Sequence, residues 1–315
     1  MAALAPVRAL AQAGPSVPEQ SRIVVGFGAG GNIDVLARLI AERVGSVLGP
    51  RHHIRVENKP GGGGQIAARQ FLAAPPDGAT YLIAPLITPV LSQLVYEQPG
   101  YDPKVDFTPV GLLAHFQFGL AVPAAHPARD AKELIAWFEA NPDKANFGSP
   151  AAGSLPHFFG LLLGDAADLE IAHVPYNGAA PLLTDLGGGR LSSAVSTVSE
   201  LLPLHREGKI RIISTFSEQR TRELPQVPTL AQQGYAKATG SGWYSLWARQ
   251  GTPPGAVAAF NRALNTVLVE SAVKAKLEEL ALEPDPRTPE YLEQLRLAEL
   301  EKWRPVIAAS GFKVG

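Results

Sequence analysis

The 315-residue chain contains no cysteine, which excludes thiol nucleophiles, disulfides and Cys-ligated zinc. An oxidising compartment is therefore allowed but not required. The chain carries almost no charge surplus, −1 in all, so a nucleic-acid partner is not expected. Past the N-terminus it lacks any uninterrupted run of about 18 apolar residues, so no membrane-spanning helix is expected. Local marks of catalysis are missing too. There is no G-x-S-x-G elbow, no H-E-x-x-H pair and no G-x-x-x-x-G-K-[ST] phosphate loop. His52 and His53 adjoin without metal-ligand spacing, and His115, His126, His173 and His205 have no arranged partner. Glu278, Glu279, Glu290, Glu293, Glu299 and Glu301 read as solvated helix faces. The chain is thus not expected to be an enzyme, and no metal or cofactor is implied.

What is present is a full complement of core residues: 46% hydrophobic against 18% charged. The length suits two domains or one large one. Residues 1–20 are rich in Ala and Pro, and Leu10-Ala11-Gln12-Ala13 ends in an A-x-A-like cleavage pattern. They read as the remnant of a truncated secretory signal peptide or as an ordinary N-terminal tail.

From there the chain alternates short apolar strands with amphipathic helices, the pattern of an α/β sheet. Strands are predicted over 22–25, 53–57, 81–84, 110–113, 118–122, 145–147, 171–174, 193–196 and 210–215. Helices are predicted over 33–48, 65–73, 89–95, 131–140, 155–163, 180–186, 198–207, 254–269, 272–280 and 289–309. Extended apolar segments at 120–123 and 240–248 read as crossings between domains. They divide the chain into a discontinuous first domain, 21–122 plus 240–315, and an inserted second domain, 123–239. Two crossings imply a cleft and a hinge. Trp243, Tyr244 and Trp247 lie in the second crossing and read first as core.

The most telling segment is Gly26-Phe27-Gly28-Ala29-Gly30-Gly31-Asn32, between the first strand and the first helix. Glycines let backbone N–H groups approach a ligand, and a helix N-terminus favours an anion. Ser149 with Gly153, Ser154 and His157, then Tyr176 with Asn177 and Gly178, repeat the arrangement. Thr88 does so more weakly. Ser154 is read as an N-cap. Loops of this kind in two domains point to donors converging on a carboxylate from both sides of a cleft. His157 is read equally as a ligand donor and as helix packing. Asp34 is read as a structural acid facing Arg38, since its charge would repel a bound carboxylate. The competing reading is an NAD(P)-binding Rossmann-type oxidoreductase, because Gly26-x-Gly28-x-x-Gly31 formally fits the dinucleotide fingerprint, with Glu57 as ribose acid.

Taken in order, the motifs are similar to the Bug-type periplasmic solute-binding receptors of tripartite tricarboxylate transporters. The likeness runs from about Arg22 to Gly315. It is carried by Val25 through Asp34, Val56-Glu57-Asn58-Lys59-Pro60-Gly61, Pro76-Asp77-Gly78, Asn146 through Pro150 with His157, Val174-Pro175-Tyr176, Asp185-Leu186-Gly187-Gly188, Leu224 through Thr229 and Trp243-Tyr244. The resemblance implies an α/β type II periplasmic-binding-protein fold, two domains closing like a Venus flytrap. It further implies a periplasmic receptor that captures a small mono-, di- or tricarboxylate, or an amino dicarboxylate, and delivers it to membrane permease subunits; a monomer is the default for such a shuttle. A signalling partner in place of the permease would read the same closed surface.

The ligand contacts it implies come from Phe27 to Asn32, Thr88, Ser149, Gly153, Ser154, His157, Tyr176, Asn177, Gly178, Ser196 and Thr197. The chain departs from the family pattern at Gly28, where proline is usual, at Asn177, where a cation is frequent, and at Ser92, where asparagine is common. It departs again at Ser196-Thr197, where an Asp-Asn pair is frequent. A cation and an acid are both lost. The pocket is therefore expected to be more neutral and to favour a plain mono- or dicarboxylate over aspartate or glutamate.

Overall fold

Ile23, Val24 and Val25 are completely buried, as a strand covered by helices on both faces requires. They belong to β1 (Gln20–Val25), which pairs in parallel with β2 (His53–Asn58) and β3 (Thr80–Pro85). This is a computed structural model, and it describes residues 17–314. The chain continues through β4 (Phe107–Phe116), β5 (Phe118–Pro123), β6 (Asn146–Ser149), β7 (Ala172–Pro175), β8 (Ser193–Thr197), β9 (Ile210–Thr215), β10 (Gly242–Arg249) and β11 (Leu282–Pro284). The larger sheet has the order β11-β4-β10-β3-β1-β2, and the smaller has β7-β6-β8-β5-β9.

The helix Asn32–Leu48 covers β1 through Ile33, Leu36, Ala37, Ile40, Ala41 and Val44, the apolar repeat legible in the sequence. The helix Pro289–Ser310 reaches both lobes. Its Trp303 ring lies 5.1 Å from Phe159 of the Leu155–Ala166 helix, and Lys302 Nζ donates to the Thr239 carbonyl at 2.8 Å. Among the described residues no helix is long and apolar enough to cross a membrane.

The chain changes sheets at Gln117, which alone separates β4 from β5, and returns just before β10. The crossing expected at 120–123 lies instead inside the smaller sheet, where β5 pairs with β8 and β9 from Phe118 onward. Pro123 marks the end of that strand, where a missing N–H is tolerated, and not a hinge. On the return, only residues ahead of Gly242 cross; β10 is an inner strand between β3 and β4. The expected tail also ends earlier than residue 20. Val17 is 2% exposed and its carbonyl lies 3.1 Å from His52 Nε2, so residues 17–20 belong to the fold. Residues 1–16, where the cleavage pattern falls, lie outside the described residues.

The predicted helix 131–140 and strand 210–215 match Ala131–Ala140 and Ile210–Thr215. The predicted helix 89–95 begins earlier, as a π-helical turn Ile87–Leu91 running into Ser92–Val95. The short β11 and the one-turn helix Pro103–Asp106 were not foreseen.

Candidate functional site

Three loops at the carboxyl ends of β1, β2 and β3 meet because glycine removes the side chains between them. A Cβ on Gly26 would stand 2.7 Å from the Gly64 Cα, and one on Gly64 would stand 2.8 Å from Thr88 Oγ1. Gly64 also holds φ +97°, a left-handed conformation costly for any other residue. The first loop is braced from inside by Asp34, which is 2% exposed. Asp34 accepts from the Gly30 N–H at 2.8 Å, from Asn58 Nδ2 at 2.8 Å and from Arg38 Nε at 3.1 Å. Burial alone would raise its carboxyl. The bonds from Arg38, Gly30 and Asn58, with the Arg38 charge, hold it below the ordinary value. The reading of Asp34 as a structural acid matches this geometry.

Between the lobes lies a cleft of about 220 Å³. The larger lobe lines it with Phe27, Ile33, Pro85, Ile87, Phe116 and Tyr244; the smaller lobe with Phe118, Pro150, Ser154, Leu155, Pro156, Thr197 and Glu200. Its wall is mostly apolar, and among the described residues no Lys, Arg or His lines it. The helices Asn32–Leu48 and Leu155–Ala166 bring their first turns to it from opposite lobes through Ile33 and Leu155. Neither helix has a side-chain cap. The first N–H groups of a helix lack an intrahelical partner. The Asp34 N–H bonds the Gly31 carbonyl and Pro156 has no N–H, which leaves the Asn32 and Ile33 N–H groups on one lobe and those of Leu155 and His157 on the other as donors.

The sequence-predicted contacts divide. Phe27, Ser154 and Thr197 line the cleft. Gly28, Ala29, Gly30 and Gly31 form the exposed tip of the first loop, with the Gly30 N–H committed to Asp34. Asn32 extends its amide to the Leu280 carbonyl at 3.2 Å and to Ser199 Oγ at 3.4 Å. Thr88 is buried, its carbonyl accepting from Ser92 Oγ and Tyr101 Oη.

The remaining residues do not line the cleft. Ser149 Oγ donates to the Ala151 carbonyl and lies 2.8 Å from His173 Nε2. With its one proton so used, Ser149 accepts from a His173 Nε2–H. The His173 ring stacks on His157 at 3.8 Å, and His157 Nδ1 accepts from the Gly153 N–H at 3.1 Å. Burial lowers His157 to about 4; burial and the neighbouring His157 lower His173 to about 4. Of the two readings of His157, packing is the one this arrangement fits. Ser154 stands at the N-cap position but gives its hydroxyl to the Ala151 carbonyl, so the expected cap is not made. Tyr176 turns to Asp185, 2.9 Å away. Asn177 and Gly178 are exposed, and the Gly178 N–H is bonded to the Pro150 carbonyl. Ser196 is fully buried and donates to Glu200.

Glu200 and Tyr244 are cleft residues that sequence reasoning missed. Thr197-Val198-Ser199-Glu200 has the S/T-x-x-E form of a capping box, which points to a structural acid. The box is half made: the Glu200 N–H reaches Thr197 Oγ1 at 3.3 Å, but the carboxylate bonds Ser196. The acid expected to be lost at Ser196-Thr197 is thereby replaced, because Glu200 enters the cleft three residues beyond Thr197. Tyr244 faces the cleft while Trp243 and Trp247 are buried, since odd and even residues of β10 point to opposite faces. The dinucleotide reading loses its ribose acid: Glu57 pairs with Arg22 at 3.3 Å.

Two α/β lobes with a cleft at the loop ends of both sheets define a solute-binding protein. Residues 36–312 match the family model described as tripartite tricarboxylate transporter family receptor, and the chain belongs to that family. Solved structures similar to it include the periplasmic binding protein BugD, at 28% identity and TM-score 0.79, covering 94% of this chain and 99% of that one. Rpa4515 of R. palustris with adipate is 32% identical with TM-score 0.82, covering 93% and 98%. MatC of Rhodopseudomonas palustris with bound malate is 30% identical with TM-score 0.77, covering 91% and 98%. The fold is that of the periplasmic binding proteins, and the expected Bug-type family is the one found.

Proposed function

We propose that this chain is a non-catalytic periplasmic receptor that holds a small carboxylate in the interlobe cleft and presents it to the permease of a tripartite transporter. The observation that carries this reading is the pair of uncapped helix N-termini, Asn32–Leu48 and Leu155–Ala166, opposed across a mostly apolar cleft. Backbone donors at such ends take a carboxylate without a cationic side chain. The apolar wall takes the ligand's carbon body. The adipate of Rpa4515 and the malate of MatC are carboxylates of this general size.

In this reading the sheets are the two lobes of a hinge with crossings at Gln117 and ahead of Gly242. The larger lobe supplies Phe27, Ile33 and Tyr244; closure adds Ser154, Leu155 and Thr197. Contacts made only in the closed form shift the population toward it, and the permease reads that form.

The test is a thermal-shift screen of refolded protein against small carboxylates, NAD and NADP. A ligand that binds only the native state raises the melting temperature with its affinity. Stabilisation by a carboxylate and by neither nucleotide is expected. Stabilisation by a nucleotide alone would overturn the receptor reading.

A further inference from the structure

We propose that Glu200 sets the specificity of the cleft by accepting a hydrogen bond from an ammonium group on the ligand, so that an amino carboxylate is preferred over its plain counterpart. The proposal rests on the carboxylate reading of the cleft given above. Glu200 is a carboxylate in a wall otherwise apolar or neutral. It stands on the first turn of the Val198–Arg206 helix, where Thr197 and Ser196 fix it from both ends: the threonine hydroxyl takes its N–H, and the serine hydroxyl donates to Oε2. Ser196 is fully buried in β8, so this orientation is built into the sheet.

Among the described residues no cationic side chain lines the same space to balance the charge. The N-terminus of its own helix compensates part of it. A dianionic ligand would still bring like charges together in an apolar enclosure, where they repel more strongly than in water. An ammonium group reverses the sign of that interaction while the ligand's carboxylate stays at the helix N-termini. Tyr244, on the opposite lobe, registers the same field: burial pushes its phenol up, and the Glu200 charge pushes it further. Both side chains line the cleft, one from each lobe, and the ligand's amine is placed on the Glu200 side.

Matched ligands test this directly. Refolded protein is titrated calorimetrically with aspartate and succinate, glutamate and glutarate, 2-aminoadipate and adipate, and phenylalanine and 3-phenylpropionate. In at least one pair the amino member is expected to bind tenfold or more tightly than its partner. Glu200→Gln, which keeps shape and removes charge, is expected to cut that ratio at least tenfold, mainly by weakening the amino member. Plain members that bind as well as or better than their amino partners in the wild type would overturn the proposal, as would a ratio unchanged in Glu200→Gln. The wild-type ratios decide the matter even if the variant fails to fold. Binding of no carboxylate at all would sink the receptor reading itself, an outcome distinct from binding without discrimination.

Discussion

The Asn32 amide spans the two lobes, its Nδ2 standing 3.4 Å from Ser199 Oγ while also donating to the Leu280 carbonyl. One side chain of the larger lobe is thus in contact with the first turn of the Val198–Arg206 helix of the smaller. Ser199→Ala removes this contact, together with the 3.0 Å contact of Ser199 Oγ with Thr197 Oγ1, and leaves the Leu280 bond. A single hydrogen bond contributes about 0.5–1.5 kcal/mol net. The variant is expected to bind ligand up to about tenfold more weakly by calorimetry, with a larger ligand-free radius of gyration by small-angle scattering. An unchanged radius and affinity would show that the contact does not bias closure.

Gly64 has no room for a side chain. Its φ is +97°, and an added Cβ would lie 2.8 Å from Thr88 Oγ1. Gly64→Ala is expected to cost about 1–3 kcal/mol and to lower the melting temperature by several degrees. Thermal denaturation followed by circular dichroism measures it. Ala at Gly28, which meets nothing within 4 Å and has an ordinary φ, serves as the control and is expected to be near neutral.

Asp34 ties three donors, and its carboxyl is held below the ordinary value. The sign follows from that depression. The stabilisation is complete above the unfolded pKa of about 3.9 and is lost as pH falls through the lower folded value. Asp34→Ala leaves the Gly30 N–H, Asn58 and Arg38 short of a partner, at a cost of about 2–4 kcal/mol at neutral pH. Urea denaturation at pH 7 and in the acid range checks both statements. The difference between wild type and variant should shrink below pH 4.

His157 and His173 both stay neutral in the fold down to about 4. The unfolded chain protonates near pH 6.5, so it binds more protons than the native state between these values. Stability should therefore fall as pH drops from about 6.5 to 4 and level off below. Two protons contribute, so the loss is on the order of a few kcal/mol. His173→Gln removes one titrating group and should flatten the profile of urea midpoint against pH. A profile as steep as the wild type's would assign the dependence to other groups.

How much of this was legible in the sequence depended on whether the cause was local. The helix Ala131–Ala140 was readable because Asp130 accepts from the Glu133 N–H and apolar residues recur behind it. The first loop was readable because its glycines form one short run. The Ser149–His173–His157 cluster was not, because its members come from β6, the helix Leu155–Ala166 and β7 and meet only in the fold. Glu200 was hidden differently. Its capping-box spacing gave it a sufficient local explanation, and only the tertiary packing of β8 turns its carboxylate to Ser196 and the cleft. The misplaced crossing had the same origin: Pro123 looks like a break until β9 is seen alongside.

The helix Pro289–Ser310 has a mechanical consequence. Two strand crossings alone behave as a flexible strap, free both to bend and to twist. With Trp303 seated on Phe159 and Lys302 fastened to the Thr239 carbonyl, a third connection joins the same two bodies. A third attachment, far in sequence from the two crossings, narrows the relative motions that such a strap would allow, so loosening Trp303 or Lys302 would free the two bodies further.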